Sequence, residues 1–247
     1  LGLLRDAGTS SRPLRGAGKE RARETQALVL TTANRRSTVH RNVYLDYVGV
    51  KSFDAAGVVT GERRFIGLFA SSALAAPVRS VPVVRTKVRN VLERSGFPAN
   101  SHTGKDLLTI LETYPREELF QTDETTLSET VAGIMHLQER RRTRVFLRED
   151  TYGRFVSAIV FIPRDRYTTP VRLRVEEELR TSFNAVSMDY DLRMSESALV
   201  RLYYRIRLSD SVETPKVDRV ELEQRLARAV RSWSEGVVEA FRERLTP

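Results

Sequence analysis

Any chemistry in this chain has to come from hydroxyls, carboxylates, guanidinium groups and three histidines, because cysteine is absent. Disulfides, thiol nucleophiles and cysteine-ligated metals are thereby excluded. His40, His102 and His136 are far apart, without the HxxxH or HExxH spacing that puts two imidazoles on one helix face. A metal site would need the fold to gather carboxylates around one of them. His102-Thr103-Gly104-Lys105-Asp106 invites comparison with a phosphate loop. The spacing fails: Ala99 stands where the first glycine belongs, and Asp106 where Ser or Thr must hold the metal. The segment reads better as a helix start. Glu117 and Glu118 read as solvated charges on an exposed turn rather than as an acid–base pair. No GxGxxG follows a strand, and neither a GxSxG elbow nor a kinase signature is present.

Two further segments carry recognition chemistry. Tyr152-Gly153-Arg154-Phe155-Val156 contains part of the aromatic strand with which RRM domains stack bases. It lacks the remaining aromatic positions and lies on a hairpin, so Phe155 is also a candidate for the core. The second segment, Pro163 to Thr169, runs into a helix N-terminus. Exposed amides there, with Arg164, Asp165, Arg166, Thr168 and Thr169, form a candidate effector-binding site for a carboxylate. The competing reading is an ordinary capped strand–helix connection.

The elements that position these residues are legible from periodicity. Arg144–Arg148, a turn at 150–153 and the apolar run Phe155–Ile162 make a hairpin, stopped by Pro163, which has no amide hydrogen for a ladder. Thr169-Pro170 then opens a helix with Val171, Val175, Leu179 and Phe183 at intervals of four. Two alternating strands follow. The first puts Val186, Met188, Tyr190, Leu192 and Met194 on one side. The second puts Val200, Leu202, Tyr204, Ile206 and Leu208 inward, and Arg201, Tyr203, Arg205 and Arg207 outward. Thr214-Pro215 caps a last helix with Leu226, Val230, Trp233, Val237 and Phe241 as its stripe. This order predicts a ferredoxin-like, permuted ACT-like α+β module. It has a four-stranded antiparallel sheet, helices on one face, and the strand at 144–148 in the edge position.

Upstream, Ala27–Thr31, Val43–Lys51, a turn at 53–57 and a returning strand kinked at Gly61 predict a β element. Residues 70–80 read as a loop of small side chains. Three helices should follow: from Pro82 to Arg94, from Thr103 to Tyr114, and from a cap at Thr122. Residues 1–23, rich in Gly, Arg and Ser, read as a flexible arm or linker. The expected division is thus an arm at 1–23, a β element with helices at 24–122 and the sheet module at 123–247.

An apolar fraction of 40% permits real cores. No apolar run approaches the roughly 20 residues needed to span a bilayer, and no signal peptide is apparent, so a cytoplasmic setting is expected. The chain starts at Leu1 rather than Met, which suggests a piece of a longer or processed polypeptide. Its net charge is +9, compatible with a free-standing nucleic-acid-binding module. The interleaving of Glu176, Glu177 and Glu178 with Arg172, Arg174 and Arg180 favours a solvated surface instead.

Several longer words then stand in order: Arg35-Arg36-Ser37-Thr38-Val39-His40-Arg41, Tyr44-Leu45-Asp46-Tyr47, Gly61-Glu62-Arg63-Arg64-Phe65, Arg94-Ser95-Gly96-Phe97, Ser101-His102-Thr103-Gly104-Lys105-Asp106, Ile110 to Gln121 and Phe161 to Thr169. Together they resemble the large bacterial NAD-specific glutamate dehydrogenases over most of residues 25–210. The resemblance implies a parent enzyme that converts L-glutamate, NAD and water to 2-oxoglutarate, ammonium and NADH, and acts as a homo-oligomer. It places this sequence in the long N-terminal region with PAS-like and ACT-like modules, residues 25–75 corresponding to the PAS-like element. The family's catalytic lysine context and dinucleotide glycines have no counterpart here. The resemblance therefore implies an inactive regulatory or assembly fragment that binds no cofactor itself, with the rest of the polypeptide and a small metabolite as its partners.

Overall fold

The structure is a computed structural model, and it describes residues 20, 22–39, 42–138, 141–195, 197–209 and 215–231. The chain divides into two compact units. The first holds residues 1–90 and 114–123, the second residues 91–113 and 124–247. Residues 1–19 of the arm expected at 1–23, Thr214, and Trp233, Val237 and Phe241 lie outside the described residues. The last helix is capped not at Thr214-Pro215 but by Asp218, whose side chain accepts from the amides of Val220 (2.7 Å) and Glu221 (3.0 Å).

In the first unit, β1 (Leu28–Arg36), β2 (Tyr44–Phe53) and β3 (Val59–Gly67) form an antiparallel meander in the order β1-β2-β3. The β2–β3 turn is built by Asp54, whose Oδ1 accepts from the amides of Ala56 (3.0 Å) and Val58 (2.8 Å), while Gly57 takes a positive φ of 79°. The register slips between Ser52↔Gly61 and Phe53↔Val59, so the strand bulges next to the glycine expected to kink it.

The stretch read as a small-residue loop contains a short helix, α1 (Ser71–Ala75). Its carbonyls meet the Arg116 guanidinium, which donates to the carbonyls of Leu74 (3.2 Å) and Ala76 (2.9 Å). A second helix that periodicity does not announce is α4 (Arg116–Gln121). It is six residues long, too short for a stripe to show. This overturns the reading of Glu117-Glu118 as an exposed turn: Glu118 lies on α4, is 2% exposed and has a polar partner. Thr122 likewise follows α4 instead of capping the next helix. Lys87 secures this end, its Nζ donating to the carbonyls of Leu119 (3.2 Å), Phe120 (2.7 Å) and Thr122 (2.7 Å). These are the carbonyls a helix C-terminus leaves without intrahelical donors. Phe120 also stacks on Phe69, with ring centroids 4.3 Å apart.

The division between units passes through α2 (Val84–Ser95), whose Val84, Val88 and Val91 are buried. In the second unit, α3 (His102–Thr113) and α5 (Glu124–Gln138) pack together. β4 (Arg144–Glu149), β5 (Phe155–Pro163), α6 (Thr169–Phe183), β6 (Ser187–Arg193), β7 (Leu199–Arg207) and α7 (Arg219–Val230) follow. The sheet order is β4-β5-β7-β6, antiparallel throughout. β4 takes the edge that the ferredoxin arrangement gives to its last strand, as the sequence predicts. The core sits between one sheet face and the helices α6 and α7. Val145, Val160, Leu202, Tyr204 and Ile206 meet Val175, Leu179, Leu222 and Leu226, all at 2% exposure or less.

The other sheet face departs from expectation. The alternation of Arg201 and Tyr203 with apolar residues predicts a wet face, yet they are 9% and 6% exposed. Ile159, on the same face, is 3% exposed. The cover comes from the preceding helices: the ring of Phe146 lies against Gly133 of α5, and Arg201 donates to the carbonyl of Thr113 at the end of α3. Arginine and tyrosine can line such an interface because their apolar stems pack while their polar ends find partners. Alternation alone therefore mistakes a second, partly polar interface for solvent. The edge strand β6 shows the reverse: Tyr190 is 51% and Leu192 37% exposed, although both point to the helix side.

Candidate functional site

The candidate effector loop lies where β5 hands over to α6. Pro163 still pairs with Leu199, the amide of Arg164 donates to the carbonyl of Ala198 (2.9 Å), and Arg164 to Arg166 form a single 3-10 turn. Thr168 is extended (φ −142°) and its Oγ1 accepts from the amide of Val171 at 3.3 Å, with Pro170 in the first helical turn. The structure thus uses Thr168 as a helix cap. The Arg164 guanidinium reaches across to the Ser195 carbonyl (2.8 Å) and ties the loop to the β6–β7 turn. Arg164, Asp165, Thr168 and Thr169 are exposed, and Arg166 is half-buried and already engaged in an interaction of its own. The five residues follow one another along the chain, interrupted by Tyr167, four of them on an open surface.

A denser polar cluster, which the sequence reads only as interleaved charge on a solvated surface, lies one turn further along α6. Arg172 stacks over the Tyr190 ring at 4.3 Å and donates to Glu176 at 2.7 Å, and Arg180 donates to the same carboxylate at 3.0 Å. Spacing by four puts the three charges on one helix face. This signal was available in the sequence as Arg-x3-Glu-x3-Arg, facing the edge strand. Tyr204 lies beneath, fully buried, with its hydroxyl 3.4 Å from the Arg172 carbonyl. Burial, reinforced by the Glu176 carboxylate, pushes the Tyr204 phenol well above its ordinary range. A phenol held so firmly protonated is no general base. The cluster fastens α6 onto β6 through the Arg172–Tyr190 contact.

The partial RRM motif dissolves in the hairpin. Asp150 organises its turn, its Oδ2 accepting from the Tyr152 amide (3.1 Å) and from Arg154 Nε (3.1 Å), and Gly153 takes φ 67°. Phe155 is 4% exposed and belongs to the core rather than to a stacking platform. The phosphate-loop reading of His102 to Asp106 ends similarly. Gly104 sits where a Cβ would come within 2.3 Å of the Pro98 carbonyl oxygen, so the glycine serves close packing at the start of α3. Among the described residues no group of three or more His, Asp or Glu could hold a metal ion, and no helix is long and apolar enough to cross a membrane. Several arginines are paired locally: Arg144 with Glu223, Arg225 with Glu221, and Arg172 and Arg180 with Glu176.

The described residues between 144 and 231 thus form a ferredoxin-type layer of sheet and helices with a charged helix–edge seam, an arrangement consistent with an ACT-like module. The family model for the glutamate dehydrogenase ACT2 domain matches residues 144–234, and that for glutamate dehydrogenase helical motif 1 matches residues 81–140. The chain is 38% identical over 216 residues to an NAD-specific glutamate dehydrogenase of Halomonas elongata, with 87% of this chain and 13% of that protein covered. It is 39% identical over 213 residues to the enzyme of the same name from Pseudomonas aeruginosa (86% and 13% covered). For that of Mycobacterium tuberculosis the identity is 31% over 241 residues (92% and 15% covered). The chain belongs to the NAD-specific glutamate dehydrogenase family, and it spans 13–15% of the length of these relatives.

Proposed function

We propose that this chain is a non-catalytic regulatory and assembly segment of an NAD-dependent glutamate dehydrogenase. The parent would oxidatively deaminate L-glutamate to 2-oxoglutarate with reduction of NAD, in the cytoplasm and as a homo-oligomer. The observation that carries this reading is the match of residues 81–140 and 144–234 to a helical motif and an ACT2 domain, within a chain that covers 13–15% of its relatives. NAD would then bind elsewhere in the parent.

Within the segment, residues 24–122 serve as a PAS-like element with helices, a reading supported by the β1-β2-β3 meander. Residues 123–247 serve as the ACT-like module. The loop Arg164, Asp165, Arg166, Thr168 and Thr169 is proposed to take a small carboxylate effector. Its support is the exposed N-terminus of α6, and its cost is release of Arg164 from the Ser195 carbonyl. The test is direct: this chain, given glutamate and NAD, should produce no NADH above background, and turnover would overturn the proposal. Isothermal titration with 2-oxoglutarate and small carboxylates, repeated on Arg164→Ala, tests the loop; heats identical for both proteins would remove it.

A further inference from the structure

A cleft of about 610 Å3 opens in the second unit among α2, α3 and α5. Val91 and Leu107, each 2% exposed, lie at its floor beside Met135. Arg94, Glu129 and His136 stand around it. Neither the ACT-like module nor the effector loop uses it.

We propose that this cleft receives an amphipathic helix from the part of the parent polypeptide outside this chain. That helix would present apolar residues at intervals of three and four, and an acidic residue toward Arg94 and His136. The shape argues for a helix. The α5 residues lining the cleft, from Ser128 through Ala132 to His136, recur by fours along one face. At 1.5 Å per residue they extend over roughly 12 Å, two helical turns. Three helices displaying such stripes leave the groove that a fourth helix fills in a bundle. Ala132, small and exposed, leaves room for a backbone to approach.

The surface chemistry argues for a protein partner. Phe97, 44% exposed, and the adaptable side chain of Met135 both line the cleft, and exposed apolar side chains of this kind mark interaction sites. The Arg94 side chain is 54% exposed and its ion pair with Glu124 is long, at 3.5 Å. A guanidinium has five donors, so most remain for an incoming carboxylate. The relatives supply the source, since at least 85% of their length lies outside what this chain covers. The inference rests on the reading of this chain as a segment of such a parent.

Because the chain has no cysteine, Ala132→Cys introduces a single reporter thiol. Maleimide labelling of that position, read by peptide mass spectrometry, should be at least tenfold slower in the full-length parent than in this chain. Thr103→Cys, on the opposite wall, should behave alike and guards against a local folding defect. Equal rates in both proteins would overturn the proposal. So would protection in this chain that grows with its own concentration, which would make a second copy the occupant. Protection that persists unchanged after Arg94→Glu in the parent would overturn the acidic partner. NADH production by this chain alone would refute the segment reading while leaving the labelling contrast intact, so the two failures are distinguishable.

Discussion

Tyr190 and Tyr204 face each other across the β6–β7 pair, directly in register, with ring centroids 6.2 Å apart on the helix-covered side of the sheet. One is half exposed beneath the Arg172 guanidinium, the other fully buried below it. The pair shows that β6 and β7 share one face with α6, and it links the edge strand to the core. It also makes stability sensitive to alkali. The Tyr204 phenol is raised in the folded state, so between its unfolded and folded titrations the folded chain holds more protons and stability falls as pH rises. The contribution is complete below about pH 10, the unfolded value for tyrosine, and is lost above it. Tyr204→Phe keeps the ring and removes the ionisable group. It should cost little at pH 7, and its melting temperature should decline less steeply between pH 9.5 and 11.5. Parallel declines would show that other groups govern alkaline unfolding.

The two-sided burial of the sheet has a mutational signature. Ile159→Asp puts a carboxylate on the face covered by α3 and α5, where an unpaired charge costs several kcal/mol or more (roughly 3–5). Were that face wet, as alternation in β7 suggests, the change would be mild. Thermal or urea unfolding should therefore show loss of the cooperative transition of the second unit, and an unchanged melting temperature would contradict the second interface.

Lys87 offers a test in the first unit. Lys87→Met keeps much of the stem and removes three charge-assisted bonds to the end of α4. Leaving those carbonyls without donors should cost about 2 kcal/mol. Hydrogen exchange should then rise in residues 116–122 before it rises elsewhere in that unit. A loss below ~0.5 kcal/mol would mean that water replaces the ammonium at no penalty.

The sequence shows its limits in the same places. The hairpin, α6 and the inward residues of β7 are legible because long, regular stripes and an Asp–Gly turn all give the same answer there. α1 and α4 are not, because five and six residues hold too few turns to display a period. The buried state of Arg201 is hidden for another reason: its guanidinium donates to the carbonyl of Thr113, 88 residues away, at the end of a helix whose destination no local pattern states. In the candidate effector loop, proline, threonine and arginine predict the capped turn correctly, but not that Arg164 spends its guanidinium on the Ser195 carbonyl.

Gly104 carries the sharpest separation of local preference from packing. In an exposed helix interior, replacing glycine by alanine gains roughly 1 kcal/mol. Here an added Cβ would lie 2.3 Å from the Pro98 carbonyl oxygen and 3.2 Å from Ser101 Oγ. The first is backbone, held by the Pro98 carbonyl's bonds from the Ser101 amide (2.9 Å) and Ser101 Oγ (2.7 Å), so relief means moving the 98–101 turn off α3. Gly104→Ala should therefore destabilise by about 1–3 kcal/mol, the usual range for overpacking. Exposed Lys105→Ala beside it should stay within about 0.5 kcal/mol. A phosphate-binding role for the glycine would leave stability unchanged and alter nucleotide affinity instead. Equilibrium unfolding of the two variants, with ATP titrated into each, decides between packing and phosphate recognition.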